Sequence, residues 1–237
     1  MSININNYWI DIDERLEELI NNGFVKLPSL EGFKLDDFAE NISTEMNGST
    51  FVELCSSHDF FLQQLCINQY LTPKLFEIAR EILDYRGEIS NQYHIARRVE
   101  AGNTKEMYRA HFDSHLFTMV LPIKIPNNQD GGSAGDLIYF PKARKMPKSE
   151  IRNFIGKIFY KRFASKNGIE RFSKNHLKLT DSFQDLRPIL FIGNTTLHTN
   201  KQVSEDCATY RLTLLAHFFD PSPKYGIGGM LRLLRNR

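Results

Sequence analysis

The sequence predicts a mainly β fold with flanking helices, in which short strands form a jelly roll or barrel. In the first third of the chain, apolar residues recur at helical spacing. From Gln92 onward the apolar segments are short, rich in β-branched and aromatic residues, and separated by turn residues. Glycine-bearing turns such as residues 127–132 favour strands joined in series over a parallel sheet.

The predicted helices lie in an N-terminal part, over about residues 10–85. The apolar residues of 11–20 recur at helical spacing among Asp and Glu, and the pattern stops at the Asn-Asn-Gly of 21–23, a helix C-terminal signal. The apolar segment 24–28 then predicts a short strand. Further helical patterns cover residues 35–42, 60–67 and 73–83.

The β-rich core is predicted over about residues 91–220, and a helical insertion over about residues 142–187 divides it. Within the insertion, residues 142–178 contain twelve Lys or Arg and two Glu. Apolar residues at helical spacing give this segment one apolar face and one basic face. The predicted strands of the core are residues 93–99, 107–111, 116–125, 136–140, 188–193 and 208–219.

Length and composition bound the class of protein. The chain has 237 residues with 41% apolar content, which is enough for one substantial core, so we expect a single domain over residues 1–237. The formal charge of +2 does not by itself indicate a nucleic-acid partner. Three cysteines without CxxC spacing suit a reducing compartment. No segment approaches the roughly 20 apolar residues of a membrane helix, so we expect a cytoplasmic protein without a membrane span.

The sharpest chemical signal is a His-x-Asp motif formed by His111 and Asp113 at the end of a predicted strand. Side chains two residues apart on a strand project to the same side, so both can bind one metal ion. Iron(II) in an oxygenase takes two histidines and one carboxylate on one face. His198 is the best candidate for the third ligand, because it follows the apolar segment 189–192 and a glycine that can turn the chain.

The last predicted strand carries a candidate anion site. Arg211 and Thr213 alternate with apolar residues, so both face the same way. An arginine inside an otherwise apolar strand is costly without a specific anion.

With these residues in this order, the sequence resembles the 2-oxoglutarate and iron(II)-dependent dioxygenase superfamily, and in layout its phytanoyl-CoA dioxygenase-like branch. The family's His-x-Asp matches His111 and Asp113, its distal histidine matches His198, and its later arginine matches Arg211. The segment 22–28, Asn-Gly-Phe-Val-Lys-Leu-Pro, resembles the segment at which many members begin. The resemblance extends over most of the chain.

The resemblance implies a double-stranded β-helix, a cupin-like jelly roll, with iron(II) as the metal, 2-oxoglutarate as cosubstrate and O2 as oxidant. It implies that Arg211, assisted by Thr213, binds the far carboxylate of 2-oxoglutarate, and Tyr93 is a further candidate cosubstrate residue. No catalytic residue beyond the metal ligands is expected. Because Asp113 is present where halogenating relatives have a small residue, we expect hydroxylation or another oxidation, with release of succinate and CO2.

The expected substrate is a small, anionic metabolite or biosynthetic intermediate, with Arg98 and Arg109 as candidate substrate-binding residues. The basic insertion predicts one of three roles: a solvated packed helix, a lid over an anionic substrate, or a docking surface for a carrier protein, a membrane or RNA. The last role leaves open a hydroxylase of a protein or RNA target. The sequence does not predict the oligomeric state.

Two other classes stay open. His115 lies on the same alternation as His111 and Asp113, so these three could bind zinc, as in a cupin-type hydrolase or isomerase. The chain could also be a non-catalytic metal-binding jelly roll. The complete set of candidate ligands, together with Arg211, favours the oxygenase.

Overall fold

The computed structural model describes residues 4–53, 56–105, 107–127, 132–147 and 150–221. The helices predicted at 11–20, 35–42 and 73–83 are confirmed. The predicted helix at 60–67 is divided, because Cys66 takes a left-handed conformation with φ of 51°. The helices of the N-terminal part are α1 (Ile5–Tyr8), α2 (Ile12–Asn22), α3 (Leu35–Met46), α4 (Ser56–Gln64), α5 (Ile67–Tyr70) and α6 (Thr72–Glu81).

The end of α2 shows how local sequence sets these boundaries. Gly23 adopts a left-handed conformation with φ of 84°, and its N–H donates to the Leu19 carbonyl at 2.8 Å. A glycine takes this conformation without the penalty that a Cβ brings, so the helix ends there and the chain enters the first strand.

The strands form two antiparallel sheets, which confirms a sheet-rich fold with flanking helices. The major sheet has the order β1-β7-β4-β9-β3-β2 and the minor sheet has the order β6-β5-β8. The strands are β1 (Phe24–Lys26), β2 (Phe51–Glu53), β3 (Gln92–Val99), β4 (Phe117–Lys124), β5 (Leu137–Phe140), β6 (Leu179–Asp181), β7 (Ile189–Ile192), β8 (Leu197–Asn200) and β9 (Arg211–Phe218).

The predicted strand at 107–111 is wrong. Tyr108 has φ of 52°, which is incompatible with an extended strand, and the described residues of this segment form a loop. Only His111 pairs, through an isolated antiparallel bridge to His198. Three short strands, β2, β6 and β8, were not predicted.

The two faces of the major sheet have different partners. The outer face packs against helices α2, α3 and α6 in a large apolar core, to which Leu212, Leu214 and Phe218 contribute from β9. The inner face packs against the minor sheet, because Val120 and Phe191 share a buried cluster with Tyr139. The space between the two sheets holds the site described below.

The basic insertion contains α7 (Glu150–Tyr160), a 3₁₀ helix (Lys161–Phe163) and α8 (Lys166–Ser173). Phe172 packs with Ile138 and Phe140 on the far side of the minor sheet. The apolar stripe of α7 is not fully covered, however, since Ile155, Ile158 and Phe159 are 59%, 58% and 50% exposed.

No helix in the described ranges is long and apolar enough to cross a membrane.

Candidate metal centre

Three side chains converge between the sheets: His111, Asp113 and His198. One potential ligand atom from each lies within 4.8 Å of the others. Asp113 is central, with Oδ1 3.6 Å from His111 Nε2 and Oδ2 3.7 Å from His198 Nε2. The His111 side chain is 50% exposed whereas the other two are 10% exposed, so the group is open on the His111 side.

Backbone hydrogen bonds hold the segments that carry these three residues next to one another. The N–H of His111 donates to the His198 carbonyl, and the His198 N–H donates back to the His111 carbonyl, each at 3.1 Å. The N–H of Asp113 donates to the Gly193 carbonyl at 3.1 Å. The loop that carries His111 and Asp113 is therefore fixed against β8 and against the turn after β7, although the loop is not itself a strand.

The outer nitrogen of each imidazole fixes the ring. Nδ1 of His111 donates to the Arg109 carbonyl at 2.7 Å, and Nδ1 of His198 donates to the Thr196 carbonyl at 3.3 Å. A carbonyl oxygen only accepts hydrogen bonds, so Nδ1 carries the proton and Nε2 keeps its lone pair. Both Nε2 atoms are thus prepared to bind a metal ion, in the arrangement usual for metal-ligating histidines.

Asp113 has its own supporting hydrogen bonds. The Thr118 hydroxyl donates to Asp113 Oδ2 at 2.6 Å, and its oxygen lies 3.0 Å from His217 Nδ1. Since the single hydroxyl proton is used toward Asp113, the His217 Nδ1–H donates to the Thr118 oxygen. Burial alone would raise the pKa of Asp113, but His198, His217, His111 and the Thr118 hydroxyl together hold this pKa well below its usual range. The carboxylate is therefore ionised.

The two histidines are neutral near pH 7. Partial loss of hydration, and next the His198 ring, lower the pKa of His111 below its usual value. Burial also lowers the pKa of His198, and the Asp113 charge only partly opposes this effect. Two neutral imidazoles and one carboxylate are the protonation states that metal ligation requires.

Gly193 gives the Asp113 loop the room it occupies. A Cβ at this position would lie 2.8 Å from Thr118 Oγ1, 2.9 Å from the His115 carbonyl oxygen and 3.1 Å from Asp113 Cβ. Only a residue without a side chain allows the turn after β7 to approach this closely.

The candidate anion site lies at the start of β9. Arg211 and Thr213 are both buried, 4% and 3% exposed. Burial, and next the charge of Arg97, lower the pKa of Arg211 to about 9, with Asp136 opposing. Among the described residues no carboxylate lies within ion-pair distance of Arg211. A buried guanidinium in this state has high affinity for an anion.

Gly135 makes space for this arginine. It has φ of 83°, and a Cβ there would lie 2.8 Å from Val203 Cγ2 and 3.0 Å from Arg211 Cδ. The position of the guanidinium thus depends on a glycine in the loop before β5.

Strand register shows which other side chains face the site, because directly paired residues on adjacent strands point to the same side of a sheet. Tyr93 pairs with His217, and Arg97 pairs with Thr213. Both therefore lie on the inner face. Tyr93 stacks beside His217 with ring centroids 6.0 Å apart, so it lies nearer to the Asp113 support than to Arg211.

The structure does not bring Arg98 or Arg109 into the site. Arg98 lies on the outer face, where its guanidinium covers the Tyr210 ring at 3.7 Å and pairs with Glu100. Arg109 lies in the loop before His111, and its side chain is exposed.

His115 does not join the metal-binding group of the described residues. Its ring stacks on Tyr93 and on His217, with centroids 5.9 Å and 5.0 Å away. The geometry thus favours His198 over His115 as the third ligand.

Sequence reasoning did not identify Arg97, Thr118 and His217 as parts of the site. A signal for Arg97 was present: on one strand Tyr93 shares a face with Arg97 and not with Arg98. Nothing local marks Thr118 or His217, because their roles arise from the pairing of β4 with β9.

The donor set fits the cofactors that the sequence suggested. Two imidazole nitrogens and one carboxylate around one point suit iron(II) and leave further coordination positions open. A buried arginine beside a threonine hydroxyl suits a carboxylate.

No protein-family model matches the sequence, and no curated protein matches it. Solved structures are similar in fold. A prolyl-4-hydroxylase from Pseudomonas putida has a TM-score of 0.54 and 12% identity, covering 87% of this chain and 93% of that one. A prolyl 4-hydroxylase from Phytophthora capsici has a TM-score of 0.54 and 13% identity, covering 98% and 72%.

SnoK, a non-haem α-ketoglutarate-dependent carbocyclase from nogalamycin biosynthesis, has a TM-score of 0.54 and 10% identity, covering 92% of this chain and 89% of that one. α-Ketoglutarate is another name for 2-oxoglutarate. At such identities the likeness shows the fold alone. The two antiparallel sheets with flanking helices are therefore a fold shared with solved 2-oxoglutarate-dependent enzymes.

Proposed function

We propose that this chain is an iron(II)- and 2-oxoglutarate-dependent dioxygenase that hydroxylates or otherwise oxidises an unactivated C–H bond of a small molecule. The observation that carries the proposal is a His-Asp-His group that lies against the inner face of the major sheet, together with a buried arginine on that same face that has no ion-pair partner among the described residues. A zinc hydrolase would have no use for Arg211. The shared fold supports the same class.

In this proposal the two sheets form a double-stranded β-helix, and the chain belongs near the phytanoyl-CoA dioxygenase-like branch. His111, Asp113 and His198 would hold iron(II), and Arg211 with Thr213 would hold the far carboxylate of 2-oxoglutarate. When bound, the iron and the cosubstrate supply the oxidising power from O2, with release of succinate and CO2.

The protein's own contribution is positioning. The carbonyls of Arg109 and Thr196 orient the two imidazoles, and Thr118 with His217 orients Asp113. Fixed ligands of this kind determine which coordination positions stay open for the cosubstrate and O2.

The test is the formation of succinate from 2-oxoglutarate, measured with iron(II) in the presence and absence of O2, across a set of candidate small molecules. The wild-type protein is expected to form succinate only when iron, O2 and an accepted compound are present. Asp113→Ala is the inactive control. Absence of succinate with every compound would favour a non-catalytic metal-binding protein.

A second candidate is oxidation of a macromolecular target, such as a residue of a protein. The exposed Ile155, Ile158 and Phe159 of α7 favour it, because they lie within the basic insertion and apolar side chains near cations suit an acidic partner surface. Binding of a partner that weakens steeply with added salt, and that is lost with Ile158→Ser, would support this candidate.

A further inference from the structure

We infer that Arg144 is a positioning residue of the metal centre, and that through it the basic insertion holds the ligand loop, residues 111–114, against the turn after β7. The inference rests on the metal-binding part of the proposed function. Arg144 lies between β5 and α7, at the start of the insertion. The inference therefore assigns one role to an insertion for which the sequence left three roles open.

The side chains of the ligand loop that do not bind the metal contact the insertion. Phe112 lies between the two ligands of the loop and is 2% exposed, and the Arg144 guanidinium covers its ring at 3.9 Å from the centroid. The Tyr160 ring of α7 packs nearly perpendicular to Phe112, with centroids 4.8 Å apart. The Ser114 hydroxyl accepts from Lys157 Nζ of α7 at 2.9 Å. The insertion thus contacts the loop on both sides of its central ligand.

Arg144 joins three segments through one guanidinium. Besides covering the aromatic ring of the loop, it donates from Nε to the Asn194 carbonyl and from Nη2 to Asn153 Oδ1 of α7, each at 2.7 Å. Asn194 follows Gly193, whose carbonyl accepts from the Asp113 N–H at 3.1 Å. The guanidinium is therefore bonded to α7 and to the same turn that holds Asp113.

The chemistry of the Arg144 side chain suits this role. A planar guanidinium can stack on an aromatic ring while its N–H groups donate in the plane, which a lysine ammonium cannot do. Burial lowers the pKa of Arg144 to about 10, so it stays protonated near pH 7. Among the described residues no carboxylate lies within ion-pair distance of it, and its donors are directed to a carbonyl and an amide oxygen.

Gly156 allows α7 to approach the guanidinium this closely. A Cβ at this position would lie 2.7 Å from Arg144 Nη1 and 3.9 Å from Arg144 Cζ. Both atoms belong to the far end of one flexible side chain, so the added methyl group would displace the guanidinium and not the backbone. Alanine also favours a helix interior more than glycine does. Gly156→Ala should therefore move Arg144 without unfolding α7.

Arg162 provides a matched control within the same insertion. Its guanidinium covers the Phe159 and Phe163 rings, at 3.6 Å and 4.8 Å from their centroids. Phe159 is 50% exposed, so this contact lies on a part of the surface that solvent reaches. Arg162→Ala removes the same charge and the same kind of ring contact as Arg144→Ala, but in contact with the insertion and not with the ligand loop.

The test uses Mn(II) added to the metal-free protein, because Mn(II) accepts the same kinds of ligand as iron(II). Calorimetry gives its affinity, and electron paramagnetic resonance of the bound ion reports the arrangement of its ligands. Thermal denaturation of the metal-free proteins measures stability separately. The variants are Arg144→Ala, Gly156→Ala and Arg162→Ala.

Arg144→Ala should lower the affinity for Mn(II) by about tenfold and change the spectrum of the bound ion, as for a residue that orients a metal ligand. Gly156→Ala should change the same spectrum and lower the affinity by a smaller factor. Its melting temperature should change little, because the gain in helix propensity opposes the loss of the Arg144 contacts. Arg162→Ala should leave both the affinity and the spectrum unchanged.

Wild-type affinity and a wild-type spectrum in Arg144→Ala and Gly156→Ala would overturn the inference. A lower melting temperature with an unchanged spectrum would also overturn it, because Arg144 would then act on folding stability alone. If Arg144→Ala does not fold, Gly156→Ala decides by the same criteria. A wild-type protein that binds no Mn(II) would contradict the metal centre of the proposed function itself, so the wild-type titration distinguishes that failure from failure of the inference.

Discussion

The same strands of the major sheet place apolar side chains on the outer face and polar side chains on the inner face. Along β9 the outer-facing residues are Leu212, Leu214, Ala216 and Phe218, all of which are buried against helices. The inner-facing residues alternate with them and include Arg211, Thr213 and His217, which are equally buried. The outer face thus stabilises the fold, whereas the inner face concentrates polar groups where a ligand can reach them.

This contrast assigns folding stability mainly to the outer face of the sheet and the candidate chemistry to its inner face. Apolar side chains on the outer face gain from burial alone. Each buried polar group on the inner face needs a partner, and Thr118 with His217 illustrates this requirement. Substitutions on the outer face should therefore change mainly the free energy of unfolding. Substitutions on the inner face should change mainly the affinity for metal or cosubstrate.

The largest effect on folding is expected for Leu214→Ala on the outer face. Leu214 is 1% exposed in the core against the helices, so its truncation should lower the free energy of unfolding by about 2–5 kcal/mol. Urea denaturation measures this change. Affinity for Mn(II) in the remaining folded protein should stay the same. A loss of metal affinity without loss of stability would contradict the assignment of stability to the outer face and ligand binding to the inner face.

On the inner face the largest effect is expected for Asp113→Ala. It removes the central ligand, so affinity for Mn(II) should fall by at least ~100-fold, more than is usual for loss of a residue that only supports a ligand. Isothermal titration calorimetry measures it. Asp185→Ala is the control, because Asp185 pairs with Lys26 away from the site. Similar affinities in both variants would show that Asp113 binds no metal.

Thr118→Val should have a smaller effect. It keeps the shape of the side chain but removes the hydroxyl that donates to Asp113 at 2.6 Å and accepts from His217. We expect a loss of about tenfold in Mn(II) affinity, as for other residues that orient a metal ligand. Thr118→Ser, which keeps the hydroxyl, should bind Mn(II) nearly as well as the wild type; an equal loss would point to packing and not to the hydrogen bond.

The smallest effect is expected for Gly135→Ala, which should weaken 2-oxoglutarate binding by several-fold, of the order of 1 kcal/mol. The added Cβ would displace Arg211, whose Cδ lies 3.0 Å from that position. Gly48→Ala is a matched control: its φ of 80° is close to the 83° of Gly135, but a Cβ there meets nothing within 4 Å. Both variants should lose stability from backbone strain, and Gly135→Ala should lose more because its Cβ would also lie 2.8 Å from Val203 Cγ2. Only Gly135→Ala should lose cosubstrate affinity.

The same contrast explains what could be predicted from the sequence. The helices, and strands such as β4 and β9, are predicted by the spacing of their apolar residues. That spacing reflects the side chains that pack in the apolar core on the outer face of the sheet. His111, Asp113, His198 and Arg211 were selected from their order along the chain. The structure brings the first three together and places Arg211 on the inner face of the major sheet.

What the sequence did not predict depends on contacts between distant segments. The strand at 107–111 was expected from the β-rich character of that segment, and the shared face of His111 and Asp113 was inferred from it. The structure instead has a loop with a left-handed Tyr108 before these two residues. Arg98 was named instead of Arg97 although Tyr93 and Arg97 alternate onto one face, because the pairing of β3 with β9 decides which face of β3 is turned toward the minor sheet. Side-chain partners across strands are set by register, which the sequence of one strand does not contain.

The most direct test of the central claim is anaerobic titration of the metal-free protein with iron(II) and 2-oxoglutarate, followed by the weak visible charge-transfer band of the chelate. The wild type should develop the band, Arg211→Ala should require much more 2-oxoglutarate to reach it, and Asp113→Ala should not develop it. A wild-type protein that binds iron(II) but shows no band at saturating 2-oxoglutarate would contradict the assignment of His111, Asp113, His198 and Arg211 to an oxygenase site.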